Sequence, residues 1–372
     1  MAEALAAASR DIFGNASSIH AAGQLARQEL EAARQSIAAF MQAQAAELVF
    51  TSGGTESNNL AILGLARALP GKHVITTSIE HPSVLEPFRQ LERDGFDVTY
   101  VRAPRDGVVD AEEIRRNLRD DTALVSIMHA NNEIGTIQPI AEIAAILRAR
   151  AAVGQKIYLH SDGVQAMGKI PIDMQEFGVD LYSISAHKIF GPKGAGALFV
   201  RKGTPLRGIQ LGGRHERERR AGTENVPGAI AFAKAVELCE RDASTELGRV
   251  RDHFERRVIE TLDDVERNGA TDRRLPNTSN LLFHGVSGES LVIALDMRGM
   301  AVSSGSACSS GSTEPSHVLL AMGRTRDEAK SSVRFSFGRY NTVEEADRLA
   351  DSVIAAVQLR KRAGIEVQLA PA

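Results

Sequence analysis

With 372 residues, 43% of them apolar and 24% charged, and 32 glycines, the chain has the composition of a soluble globular protein of roughly two or three domains, which excludes collagenous, disordered and coiled-coil classes. Two cysteines cannot build a disulfide framework or a four-thiolate metal site, and they fit a reducing compartment. A net charge of −3 offers no general attraction to nucleic acid or anionic membranes; with no apolar run near the ~18 residues of a membrane span and no leader-like pattern in MAEALAAASRD, a cytoplasmic protein is expected.

In chain order, residues 2–8 read as a lone helix. Strand-like runs follow at 47–51 (ELVFT), 73–77 (HVITT), 97–101 (DVTYV), 123–128 (ALVSIM), 157–162 (IYLHSD), 180–185 (DLYSIS) and 196–200 (GALFV). Several are apolar nearly throughout, as strands buried on both faces of a parallel sheet should be. Residues 55–69, 83–94, 110–119 and 140–151 carry helical spacing between them. The expected fold class is therefore α/β, a mainly parallel sheet with helices on both faces. A charged helical stretch over 227–267 is expected to bridge to a second domain. The remainder changes rhythm, with strand-like 280–286 and 332–337 and helix-like 289–299 and 343–362, and predicts a smaller C-terminal α+β domain. The one compositionally biased segment is 302–316, VSSGSACSSGSTEPS.

The chemistry starts at Lys188, in Ser185-Ala186-His187-Lys188 followed by a Gly-Pro turn. A lysine at the end of a buried strand is unusual because an ammonium is costly to bury, and a Schiff base to a carbonyl removes or shares that charge. Asp162 ends another strand at the carboxyl edge of the sheet, where open α/β proteins bind ligands; a carboxylate there can keep a pyridine nitrogen protonated. Ser52-Gly53-Gly54-Thr55-Glu56 joins a strand to a helix, where glycines and the helix dipole suit a phosphate.

These residues lie in blocks that carry a resemblance: FTSGGTESNNLAI, TTSIEHPSVL, SIMHANNEIGTIQPI, HSDGVQAMGKIPID, SISAHKIFGPKGAGAL, GGRHERERRAGTENVPG, SSGSACSSGSTEPSHVL and VRFSFGRYNT. Running from about residue 14 to 345, they resemble the cysteine desulfurases of the IscS/NifS type, within the class V aminotransferases of fold-type I pyridoxal-phosphate enzymes. The resemblance implies a large cofactor domain over 1–243 and a small domain over 244–372 that carries Cys308 on a mobile loop. It implies that Lys188 forms the Schiff base with pyridoxal 5'-phosphate and moves protons, that Asp162 pairs with the pyridine nitrogen, and that Gln165 and Asn132 lie near the ring hydroxyl and substrate carboxylate. His81 would stack on the ring and could shuttle a proton. Gly54, Thr55, Ser185 and His187 would hold the phosphate, with Thr223 reaching in from the second subunit of a homodimer. Arg334 would grip the substrate carboxylate, a bidentate task suited to a guanidinium.

Cys308 sets the reaction that the resemblance implies: its thiolate takes the sulfur of L-cysteine as a persulfide, leaving alanine, with His81 or the substrate amine as acceptor of the thiol proton. An iron–sulfur scaffold or another sulfur-accepting protein is the implied partner. A different class V enzyme, such as an aminotransferase or selenocysteine lyase, would keep Lys188, Asp162 and Arg334 without needing Cys308, and a non-catalytic binding subunit is the other alternative. Cys239, among Ala, Val and Leu on a helical pattern, is expected to be a buried, inert thiol. No histidine pair has the HxxxH or HExxH spacing, and no metal is expected. The run from Arg214 to Arg220, with interleaved glutamates, is expected to be a solvated loop. Family members usually carry an Asp/Asn/Ala/Thr-rich strand and turn well ahead of the Gly14–His20 block; thirteen residues precede Gly14 here, and Met1 is expected to match an internal methionine of a longer pattern. Extra residues near 149–156 are expected to lengthen a loop.

Overall fold

Runs such as His73–Thr77 and Leu181–Ser185 are buried along their whole length, the signature of strands covered on both faces. The computed structural model describes residues 1–152, 154–239, 243–304 and 314–369. It divides into two units: the first comprises 1–101, 109–130 and 138–241, the second 102–108, 131–137 and 242–372.

In the first unit, helices α1 (Ala2–Asp11) and α2 (Ala21–Phe40) precede strand β1 (Leu48–Thr51), and then strands and helices alternate. They are α3 (Gly54–Ala66), β2 (His73–Thr77), α4 (Pro82–Arg93), β3 (Asp97–Val101), α5 (Ala111–Arg116), β4 (Thr122–Ser126), α6 (Ile140–Ala152), β5 (Tyr158–Asp162), α7 (Met174–Phe177), β6 (Leu181–Ser185), β7 (Gly196–Val200) and α8 (Val226–Glu237). The seven strands lie in the order β1-β7-β6-β5-β4-β2-β3. Strands β3, β2, β4, β5 and β6 pair in parallel, whereas β7 is antiparallel to both β6 and β1. Every strand except β7 therefore points its carboxyl end at one edge, where ligands bind in open α/β sheets.

Helix α2 is amphipathic, burying Gly23, Ala26, Leu30, Ala33, Arg34 and Ile37 at helical spacing. It is absent from the elements expected above, because its apolar stripe is built largely of alanine. Helix α3 is buried around most of its surface, and at Gly64 a Cβ would stand 2.4 Å from the Arg207 carbonyl oxygen, so the chain can cross there only over a glycine. The seven strands predicted for this unit are found within a residue or two of their expected limits.

The second unit has a four-stranded antiparallel sheet, β10-β11-β9-β8, from β8 (Val265–Arg267), β9 (Thr278–Phe283), β10 (Ser303–Ser304) and β11 (Ser332–Ser336). Helices α9 (Ala243–Thr261) and α13 (Val343–Leu369) share a core with it that includes Phe254, Phe283, Phe335 and Val353; the Phe254 and Phe335 rings are 4.7 Å apart between centroids. Between β9 and β11 come α10 (Gly288–Asp296), α11 (His317–Ala321) and α12 (Arg326–Lys330). The single helical stretch expected over 227–267 is instead α8 and α9, and its last residues form strand β8. Among the described residues, no helix is long and apolar enough to cross a membrane.

Candidate active site

At the carboxyl edge of the first unit's sheet, β1 runs into the Ser52-Gly53-Gly54 turn that opens α3. Gly53 has φ +152°, and Gly196 at the start of β7 lies so close that a Cβ on it would stand 2.5 Å from Gly53 Cα. A Cβ on Gly54 would stand 2.7 Å from Val164 Cγ2. The turn is thus pressed against the start of β7, where the backbone leaves no room for a Cβ on Gly196, and against the Val164 side chain just past β5. Glu56 holds it from behind: its carboxylate accepts the Ser52 backbone N–H at 2.7 Å and the Arg220 guanidinium at 2.8 Å. Ser185, at the end of β6, is hydrogen bonded to His187 Nδ1 at 2.8 Å. Burial and the nearby charges of Lys188, Lys193 and Lys169 depress the His187 pKa. Gly54, Thr55, Ser185 and His187 therefore share one edge, beside the exposed N-terminus of α3.

Asp162 is buried, and it accepts the Val164 backbone N–H at 2.9 Å and Asn58 Nδ2 at 2.7 Å. Burial raises its pKa, opposed by those two hydrogen bonds and by the nearby His81 and Lys188. Asn58 Nδ2 also reaches Ser83 Oγ at 2.8 Å, and Ser83 Oγ lies 2.8 Å from His81 Nδ1. His81 is the N-cap of α4 and accepts the Ser83 backbone N–H. Next to it, Glu80 is fully buried, with Oε1 accepting Thr77 Oγ1 and the Met128 N–H, and burial pushes its carboxyl up to about 8. Below the edge, His160 bridges Ser126 and Ser183 across β4, β5 and β6, and burial lowers it to about 3, so it is a neutral structural tie.

Lys188 departs from the sequence reading. It is exposed, because the 3₁₀ turn Ala186–Ile189 carries it past the end of β6; a burial penalty does not explain it, although its charge still acts on Asp162. Gln165 is half-buried and its Oε1 accepts Lys169 Nζ at 2.7 Å. Thr223 is exposed, two residues before Asn225, whose side chain donates to the Gly194 carbonyl at 3.3 Å. The run 214–220 is only partly the solvated loop expected. Glu216 is buried and accepts both Arg34 Nη atoms at 2.7 Å and the Phe50 N–H at 2.9 Å. Cys239 is half-buried rather than buried, because α8 ends at Glu237; its Sγ donates to the Ala235 carbonyl.

In the second unit Arg334 projects from β11, half-buried, and its Nη1 donates to the Asn132 carbonyl at 2.8 Å. Its Nε is buried and has no hydrogen-bond partner among the described residues. Glu133 is buried beside it and accepts the Ser316 hydroxyl; burial pushes its carboxyl up to about 7, against the pull of Ser316 and the Arg334 charge. The remaining predicted residue, Cys308, lies outside the described residues.

Asn58, Ser83, Glu80, Lys169 and Glu133 were not singled out from the sequence. Each lies within a few residues of a predicted site residue in a quoted block, but their roles come from partners distant in sequence: Asn58 and Asp162 are 104 residues apart.

The sequence profile of the family described as aminotransferase class-V matches residues 1–349. The cysteine desulfurase IscS of Dictyoglomus turgidum is 49% identical over 92% of this chain and 87% of its own length. IscS 1 of Archaeoglobus fulgidus, also a cysteine desulfurase, is 46% identical over 91% and 88%. Among solved structures, a NifS-like protein superposes with a TM-score of 0.89 at 34% identity, covering 96% of this chain and 95% of that one. SspA in complex with cysteine superposes at 0.81 and 35% identity, covering 92% and 95%.

Proposed function

The chain belongs to the aminotransferase class-V family, and from that premise we propose that it is a cysteine desulfurase, which takes sulfur from L-cysteine, releases L-alanine and carries the sulfur as a persulfide on Cys308. The observation that carries this reading is the convergence, at one sheet edge, of buried Asp162, the glycine turn that opens α3, Ser185 at the end of β6, and His187 and Lys188 just past it.

That donor set suits pyridoxal 5'-phosphate. The phosphate would be held by Gly54, Thr55, Ser185 and His187, where a backbone with no Cβ and a helix N-terminus meet. Asp162, whose carboxylate burial disfavours, would gain from a cationic ring nitrogen, and the amide of Gln165 would face the ring hydroxyl. His81 would lie against the ring. When bound, the cofactor supplies an electron sink that makes the substrate's α-proton removable. Lys188 Nζ would hold and deliver that proton from its exposed position.

Arg334 would bind the substrate carboxylate; with Nη1 committed to the Asn132 carbonyl and Nε buried without a partner, the guanidinium is oriented and has a donor to offer. The Cys308 thiolate would form the new S–S bond as the Cβ–S bond of L-cysteine breaks. Thr223, exposed, would reach the phosphate of a second copy in a homodimer. A cytoplasmic location, the domain limits 1–243 and 244–372, and an iron–sulfur scaffold as sulfur acceptor belong to the same reading, the last because both relatives named above carry the name IscS.

Incubation with L-cysteine and pyridoxal phosphate, followed by intact mass and peptide mapping, tests it. One added sulfur on Cys308, with alanine in solution, is the expected result. Undiminished alanine formation by Cys308→Ala would overturn the mechanism.

A further inference from the structure

A chain of hydrogen bonds runs inward from His81, and its polarity can be read atom by atom. His81 Nδ1 accepts the backbone N–H of Ser83 at 3.1 Å. An amide N–H can only donate, so Nδ1 presents a lone pair, and the proton of a neutral ring sits on Nε2. Ser83 Oγ lies 2.8 Å from the same nitrogen and receives Asn58 Nδ2 at 2.8 Å, which turns the hydroxyl hydrogen toward Nδ1. Asn58 Nδ2 also reaches Asp162 Oδ2 at 2.7 Å, and an ionised carboxylate accepts only the N–H₂ end of an amide. Every donor in the chain therefore points toward Nδ1 or Asp162.

We infer that Asn58 and Ser83 are positioning residues that hold His81 as its neutral Nε2–H tautomer, so that His81 presents a hydrogen-bond donor to the site and does not serve as a base at Nε2. This deepens the desulfurase reading and rests on it for the identity of the ligand. A lone pair at Nε2 would require the ring proton to move to Nδ1, where two donors already converge. Asp162, reached through Asn58 and Ser83, favours a positive ring, but the extra proton would have to enter at that same nitrogen. The N-terminus of α4, which His81 caps, opposes an imidazolium as well. Of the two acceptors considered for a thiol proton, the substrate amine remains.

The test is direct observation of the ring nitrogens. The full chain is labelled with ¹⁵N in histidine alone, and long-range ¹H–¹⁵N correlations are recorded between about pH 6 and 9, with and without pyridoxal phosphate. His81 is assigned by the signals lost in His81→Gln. The expected pattern is an unprotonated Nδ1 and a protonated Nε2 throughout. A proton on Nδ1 of the neutral ring, or a doubly protonated ring at pH 7, overturns the inference. Ser83→Ala should move the Nδ1 signal toward that of a less hydrogen-bonded imine nitrogen, and Ser83→Thr should restore it. Asn58→Ala should produce a smaller displacement in the same direction. An unchanged Nδ1 in either alanine variant removes that residue from the chain. Failure of the wider reading looks different: no cofactor absorption develops, while the nitrogen signals remain readable.

Discussion

Asn280 and Arg334 stand directly opposite each other across the β9–β11 ladder, and each holds one of two successive carbonyls of the 131–137 segment. Arg334 Nη1 donates to the Asn132 oxygen at 2.8 Å and Asn280 Nδ2 to the Glu133 oxygen at 3.1 Å. Asn131 closes the turn by accepting the N–H groups of Glu133 and Ile134 on its own Oδ1. Asn280→Ala should therefore cost about 1–2 kcal/mol of stability and free the segment against which Arg334 is braced. In steady-state kinetics, KM for L-cysteine should rise more than kcat falls. An unchanged KM would detach Asn280 from the binding of the substrate carboxylate.

Glu80 makes a pH-dependent contribution whose sign follows from its burial. Its carboxyl is pushed up to about 8 from an ordinary 4.5, so between those values the folded protein keeps a proton that the unfolded chain has released. Stability from this group is thus greatest below the unfolded value, declines as pH rises toward 8 and is level above it. Glu80→Gln, which cannot ionise, should match the parent near pH 4.5 and gain on it progressively up to pH 8, by on the order of a few kcal/mol. Denaturant unfolding at a series of pH values reads the difference, and a gap independent of pH would show that Glu80 does not titrate this way.

Lys169 fixes which end of the Gln165 amide faces the site. An ammonium has no lone pair, so Gln165 must turn its oxygen to Lys169 and its N–H₂ outward. Lys169→Met should let the amide flip and displace the pH at which the absorption of the bound cofactor changes, while Lys169→Arg, another obligate donor, should restore it. The same midpoint in all three proteins would leave Gln165 without a role at the ring hydroxyl.

The buried Arg34–Glu216 pair ties α2 to the segment that leads to Arg220 and Thr223. Glu216 holds φ +46° there, a left-handed backbone strained for any residue but glycine. Arg34→Met strands the Glu216 carboxylate and should cost about 3–5 kcal/mol, a loss that Arg34→Met combined with Glu216→Gln should partly recover. Thermal or denaturant unfolding of the single and double variants measures both. Equal losses in the two would mean that Arg34 matters for packing and not for charge.

Much of this was legible in the residue order. Alternating apolar strands and helical spacing announced the α/β sheet, because burial on both faces leaves a continuous apolar run such as GALFV. Asp162, Lys188 and the Gly53-Gly54 turn could be named because each sits at a strand end, and the chain direction of parallel strands sends those ends to one edge. Tertiary structure decided what no spacing encodes. It placed Lys188 in the open, buried Glu216 inside a stretch that reads as charged surface, split the expected long helix into α8 and α9, and brought Asn58, Ser83 and Asp162 together from three separate elements. A side chain's neighbours along the chain set its local conformation, but its hydrogen-bond partners and solvation depend on which distant segments fold against it, and those set the proton positions on His81, Glu80 and Gln165.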